Sequence, residues 1–200
     1  MAGYAAVAAA GKSLERALNA KFAEDPSLEV LLGRPARAVL VRTEDFEAGN
    51  LASLIQRPAL SIFLYRVDFN KTMRAAWSAV GYHDGRSHLP LDLHFLLTAW
   101  ADNAEFEHAI MGRALQILDS LPILSGPLLQ PSGEWAAGEA VQVVMEEITT
   151  EAVMRTFDSL PVDYRLSVPY IARVVRVDGR DTANRREVTT AVAGIVPGTV

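Results

Sequence analysis

Read from the amino terminus, apolar positions recur first at helical spacing and later at strand spacing. Val7, Leu14, Leu18 and Phe22 share one side of a helix predicted from about Ala5 to Ala23, and Asp25-Pro26 ends it. After a loop around Gly33 to Pro35, Ala38 to Arg42 reads as a short strand through Val39 and Val41. Leu60, Ile62 and Leu64 alternate with Ser61, Phe63 and Tyr65 in a stronger strand that begins after Pro58. Apolar residues fall on both of its faces. That predicts a central strand, covered on one side by helix and on the other by helix or a partner chain.

The clearest pattern runs from Leu89 to Asp102. Leu91, Leu93 and Phe95 occupy one face of a strand, and Asp92, His94 and Leu96 the other. A helix follows from about Asn103 to Ser120, with Phe106, Ile110, Ile117 and Leu121 at helical spacing. Asp102 is the expected N-cap, with Glu105 as its capping-box partner. Between Asn70 and Pro90 the chain is polar, and Asp84-Gly85 marks a turn, read as the tip of a projecting loop or hairpin.

Beyond the helix, Ser125 to Gly138 carries Pro127, Pro131 and three glycines, a surface loop. Val141, Val143 and Met145 alternate with Gln142, Val144 and Glu146 in a strand, and Thr149 or Thr150 caps a short helix to about Leu160. Tyr164 to Val177 is the last long strand, in which Pro169 calls for an edge position or a bulge. From about Asp178 the chain is polar and then rich in valine and alanine, the profile of an arm. The order lacks regular βαβ alternation. It predicts an α+β domain over residues 1–178, a mixed or mainly antiparallel sheet with helices packed on one face, plus a C-terminal extension over 179–200.

Composition narrows the function classes. Half of the 200 residues are hydrophobic and 22% are charged, a balance that folds. The net charge is −5 with scattered basic residues, so no nucleic-acid partner is expected. No cysteine is present, which removes disulfides and thiolate sites and fits a cytoplasmic product. The alanine-rich Met1 to Ala10 lacks the basic start and strong apolar run of a signal peptide. No run approaches the ~18 apolar residues that span a bilayer, so no membrane role is expected.

Candidate chemistry is sparse. Ala6, Gly11, Lys12 and Ser13 satisfy a relaxed phosphate-loop pattern. However, no strand precedes them, and Val-Ala-Ala-Ala favours helix over a loop of inward amides. The histidines are His83, His88, His94 and His108. None pairs at the i, i+4 spacing of a helical zinc site. His83 and His88 share a loop with Asp84, either a solvated turn or a weak metal site, and His94 reads as a packed or hydrogen-bonded histidine on a sheet surface. Glu105 with Glu107 suits a helix start. Glu146 and Glu147, adjacent on a strand, point to opposite faces. No catalytic constellation emerges, so no catalytic, cofactor or metal residue is assigned and no enzyme is expected.

Four blocks carry a resemblance: Leu60-Ser61-Ile62-Phe63-Leu64-Tyr65-Arg66-Val67, the strand Pro90 to Trp100, the helix with Glu107-His108 and Leu115, and Tyr164-Arg165-Leu166-Ser167-Val168-Pro169-Tyr170. Over about residues 5–178 the chain resembles the tail-terminator, or cap, proteins of phage-tail-like extracellular contractile injection systems. It departs in having Phe157 where the family usually has a tryptophan. The resemblance implies a structural, non-enzymatic protein. Six copies would form a homo-hexameric ring on the inner tube protein and the sheath protein, stopping their polymerisation and anchoring the distal sheath. The particle would be assembled in the cytoplasm and released extracellularly.

Val188, Thr190 and Val192 alternate with Thr189 and Ala191 after Arg185-Arg186, a pattern suited to adding a strand to a neighbouring sheath or cap subunit. A disordered end is the other reading of the same residues. A generic interaction scaffold and a small nucleotide-binding enzyme are the alternatives that the sequence leaves open.

Overall fold

A computed structural model of the chain describes residues 2–47, 53–73 and 87–179. Its helices are α1 (Ala6–Ala23), α2 (Pro26–Leu32), α3 (Ala104–Ser120) and α4 (Thr150–Asp158). Its strands are β1 (Arg37–Val41), β2 (Ala59–Phe69), β3 (His88–Trp100), β4 (Ile123–Ser125), β5 (Ala140–Met145) and β6 (Ser167–Asp178). The six strands form one sheet in the order β1-β2-β3-β6-β5-β4. Among the described strands only β1 and β2 run parallel. The fold is therefore α+β with a mixed sheet, and β2 is interior, as its two apolar faces require.

The face under α1 and α3 holds the larger core. Leu14, Leu18 and Phe22 from α1 and Ile110, Ile117 and Leu118 from α3 pack against Leu60, Ile62, Leu93, Phe95 and Leu97. Gly11 sets the closeness of α1 to the sheet: a Cβ there would lie 3.2 Å from a Leu40 methyl and 3.6 Å from the Phe95 ring. The α+β pattern predicts helices on one face, and the two-sided β2 predicts helix or a partner chain on the other. It is a helix: α4 covers the second face, where Val153 and Phe157 join Val41, Phe46, Phe63, Leu96 and Trp100 in a second core. Leu96, expected on the polar side of its strand, is accordingly buried.

Local rules explain the remaining differences. Asp25-Pro26 ends α1 and also starts α2: Asp25 accepts the Leu28 N–H at 3.1 Å, proline takes the first turn, and Gly33 stops the helix at φ 74°. The hydrogen bonds from Ser27 and the Leu28 amide hold the Asp25 carboxyl below its ordinary range. The N-cap of α3 is Asn103, whose side chain accepts the Phe106 N–H at 2.9 Å, so the expected Asp102–Glu105 capping box does not form. Asp102 instead lies 3.2 Å from Arg34 and 3.9 Å from Arg57. Thr149 caps α4 as anticipated.

Pro169 sits opposite Leu96 in β6, an interior strand, and the register shift of that pairing falls elsewhere, between Leu91 and Leu93. The expected edge or bulge is therefore not what accommodates it. Its carbonyl accepts the Glu146 N–H at 2.9 Å just where β5 ends, so the missing donor faces a place where the ladder stops. His88, assigned to a loop, opens β3 and pairs with Asp178 at 2.6 Å. The Asp84-Gly85 turn and the arm beyond Gly179 lie outside the described residues.

Candidate functional site

The phosphate-loop string lies wholly inside α1. Ser13 donates to the Ala9 carbonyl at 2.7 Å and accepts the Gln130 N–H at 2.8 Å, and Lys12 bonds Glu15 at 2.7 Å. These groups hold the helix and its neighbouring loop, and the amides that would cradle phosphate belong to the helix ladder.

The densest polar cluster lies on the α4 side of the sheet. A bulge in β2 between Leu64 and Arg66 lets Tyr65 and Arg66 reach the same carboxylate. Glu146 accepts from Tyr65 Oη at 2.8 Å and Arg66 at 2.9 Å, and its Oε2 lies 2.9 Å from His94 Nδ1. Asp68 flanks the other side, 3.0 Å from Arg66 and 3.3 Å from His94 Nε2. His94 is thus the packed, hydrogen-bonded histidine that sequence reading expected. Burial, then the bond to Glu146 and its charge, pushes the Tyr65 phenol up.

This cluster fastens three strands. Among the described residues no group of three or more His, Cys, Asp or Glu side chains is placed to hold a metal ion. His83 lies outside the described residues, and His108 is exposed on α3. Glu105 and Glu107 begin α3, where Glu107 accepts from Arg165 at 3.1 Å. Trp100, buried completely, donates to Ser61 at 2.8 Å, stacks on Phe46 and carries the Arg165 guanidinium 4.7 Å above its ring. Sequence reading missed Glu146 as a hub. Only its place beside a strand end hinted at it.

The surface has a different character. Large apolar side chains stand exposed at Val67, Phe69 and Leu89 on β2 and β3, at Met145 on β5, and at Met154 and Tyr164 around α4. Phe46, Phe157, Leu160 and Tyr164 line a groove there, rimmed by Asp158 and Asp163. Such a distribution suits contact with other proteins better than turnover of a small molecule. No described helix is long and apolar enough to cross a membrane. Val188, Thr190 and Val192, the candidate interaction residues, lie outside the described residues.

Solved structures of similar fold are known. The sheath/tube terminator of the PVC extracellular contractile injection system, in its extended state, superposes with a TM-score of 0.51 at 20% identity. The match covers 94% of this chain and 63% of that one, so the chain spans less than two thirds of the terminator's length. The tube-terminating cap of the anti-feeding prophage aligns with a TM-score of 0.45 at 20% identity, over 69% of this chain and 49% of that one. No curated protein sequence matches. The Pvc16 N-terminal domain profile matches residues 9–191, nearly the full length, and the chain belongs to that family.

Proposed function

We propose that this protein is the cap of a contractile injection system. It forms a ring, with six copies as the expected number, on the distal end of the inner tube and sheath. There it stops subunit addition and anchors the sheath during contraction. The role is structural and not enzymatic. Assembly takes place in the cytoplasm, and the cap leaves with the released particle. Residues 1–178 form the ring-building domain and residues 179–200 an arm for a neighbouring subunit.

The observation that carries this reading is family membership across residues 9–191, joined to a terminator-like fold over 94% of the chain. The exposed apolar side chains support it. Electron microscopy of the purified protein tests the ring. A six-fold ring is expected, whereas a monomer by light scattering at high concentration, with and without tube protein, would remove the cap reading. Deleting residues after Gly179 is expected to abolish sheath capture while leaving the ring. Unchanged particle assembly would show that the arm has no such role.

A further inference from the structure

The outer strand of a sheet turns half of its main-chain groups away from its neighbour, where they form a template for another strand. β1 is such a strand, and its pairing with β2 fixes which groups those are. The Arg37 N–H bonds the Pro58 carbonyl, so residues 37, 39 and 41 face β2, and Ala38 and Leu40 turn their main-chain groups outward. Three of those four outward groups are already taken, all by α1. Asn19 donates to the Ala38 carbonyl at 2.8 Å and accepts the Ala38 N–H at 2.9 Å. Glu15 accepts the Leu40 N–H at 3.0 Å through one oxygen, and Lys12 holds the other at 2.7 Å.

Helix and strand spacing make this match possible. Residues 15 and 19 lie one above the other on a helix face, about 6 Å apart along its axis, and residues 38 and 40 lie about 6.6 Å apart along a strand. Running opposite to β1, α1 therefore presents one polar side chain to each outward residue. Gly11 continues the same face one turn earlier, and its missing side chain lets the helix settle onto Leu40. Gly11 and Lys12, left over from the phosphate-loop pattern, thus have a place at this edge. A groove of about 660 Å³ runs beside it, lined by Glu15, Asn19, Arg37, Ala38 and Leu54 among others. There is room for a further strand, but little free backbone to hold one.

We propose that Gly11, Lys12, Glu15 and Asn19 make α1 a stand-in for a further strand, which bars the β1 edge to a second copy of this chain. A second copy is the partner kept out because a bare edge is complementary to itself. Two β1 strands set antiparallel about a two-fold axis at Val39 place Ala38 of each opposite Leu40 of the other, and each such pair exchanges both of its main-chain bonds. The two Val39 residues then face one another as a non-hydrogen-bonded pair, with Cα atoms about 4.5 Å apart. That separation suits a disulfide.

The chain has no cysteine, so one introduced thiol reports the contact in the full-length protein. Val39→Cys alone is expected to stay unlinked under mild oxidation. Val39→Cys with Glu15→Ala and Asn19→Ala is expected to give a disulfide-linked dimer on a non-reducing gel. Equal linking in both, or linking in neither while the triple variant keeps its far-ultraviolet circular dichroism, would overturn the proposal. If the triple variant unfolds, Val39→Cys with Glu15→Ala opens half of the edge and is expected to link more than Val39→Cys, and no gain would count against the guard equally. Hydrogen exchange checks the bonds themselves: the Ala38 and Leu40 amides should exchange slowly, and Glu15→Ala should speed Leu40 about tenfold. Fast exchange of both amides in the unaltered protein would also overturn it. None of these readouts depends on a ring, so the guard and the cap reading stand or fall separately.

Discussion

The two faces of the sheet use the same strands to different ends. Under α1 and α3, the apolar ladder of Leu60, Ile62, Leu93, Phe95 and Leu97 is sealed by helices, with Tyr170 and Ala172 continuing it on β6. On the α4 side, an apolar cluster around Trp100 and Phe46 gives way along β2 and β3 to the ionic cluster of Arg66, His94 and Glu146. The first face is held mainly by burial, with polar bonds at its margins. The second needs each charge to keep its partner, since a buried charge that loses one is left at a large desolvation cost. The lesson is that stability resides mainly in the helix-covered face and in Trp100, whereas the shape of the other face depends on a few named bonds.

Trp100→Ala should break the comparison most severely. It empties the centre of the second core and is expected to cost about 4 kcal/mol by chemical denaturation, as much as a large truncation on the helical side such as Leu14→Ala. A loss below about 1 kcal/mol would mean that the α4 face contributes little. Glu146→Ala comes next, at about 2–3 kcal/mol, at the lower end for a broken buried pair because Arg66 is partly exposed. Glu146→Gln should recover part of that loss by keeping one acceptor oxygen, for Tyr65 or for Arg66.

Tyr65→Phe is expected to cost about 1 kcal/mol, the usual worth of one hydrogen bond. It also carries a pH signature. The phenol of Tyr65 is raised in the fold, so its contribution is fully present below the ordinary tyrosine value of 10.0 and is lost as pH rises above it. Stability should therefore fall in alkaline solution, and Tyr65→Phe should flatten that fall. Some slope should remain, because burial, with Asp119 nearby, raises Tyr170 in the same sense. An unchanged alkaline profile in Tyr65→Phe would place the titration elsewhere. The smallest effect sharpens the comparison at the β3–α3 corner. Asn103→Ala should cost about 0.5–1 kcal/mol through the lost cap. Asp102→Ala should cost only a few tenths, since its ion pairs are exposed.

Much of the fold was legible in the chain. Val7, Leu14, Leu18 and Phe22 at helical spacing located α1 almost to the residue, and the two-sided apolar pattern of Leu60 to Tyr65 placed β2 inside the sheet. Asp25-Pro26 was harder, because one signal can end a helix and begin the next. Asp102 and Asn103 are both good capping residues in adjacent positions, and only the backbone turn selects Asn103. Pro169 misled because the rule about strand proline concerns which hydrogen bonds are needed, and that depends on where the neighbouring strand stops. The polar cluster was hardest: Tyr65, His94 and Glu146 are far apart in the chain, and their meeting requires a bulge and the four strands β2, β3, β6 and β5 in register.

The sequence by itself determined the local elements, the α+β class and the lack of a recognisable catalytic pattern, because spacing and turn chemistry act between near neighbours. It also carried, in its four blocks, the likeness to the terminator family. Only the tertiary structure decided which edge of the sheet is closed. Asn19 and Glu15 look like ordinary polar residues on a helix until α1 crosses the sheet and lays them against β1. The hydrogen bonds of an edge strand can be completed by any donor or acceptor brought to it, and what is brought there is fixed by packing.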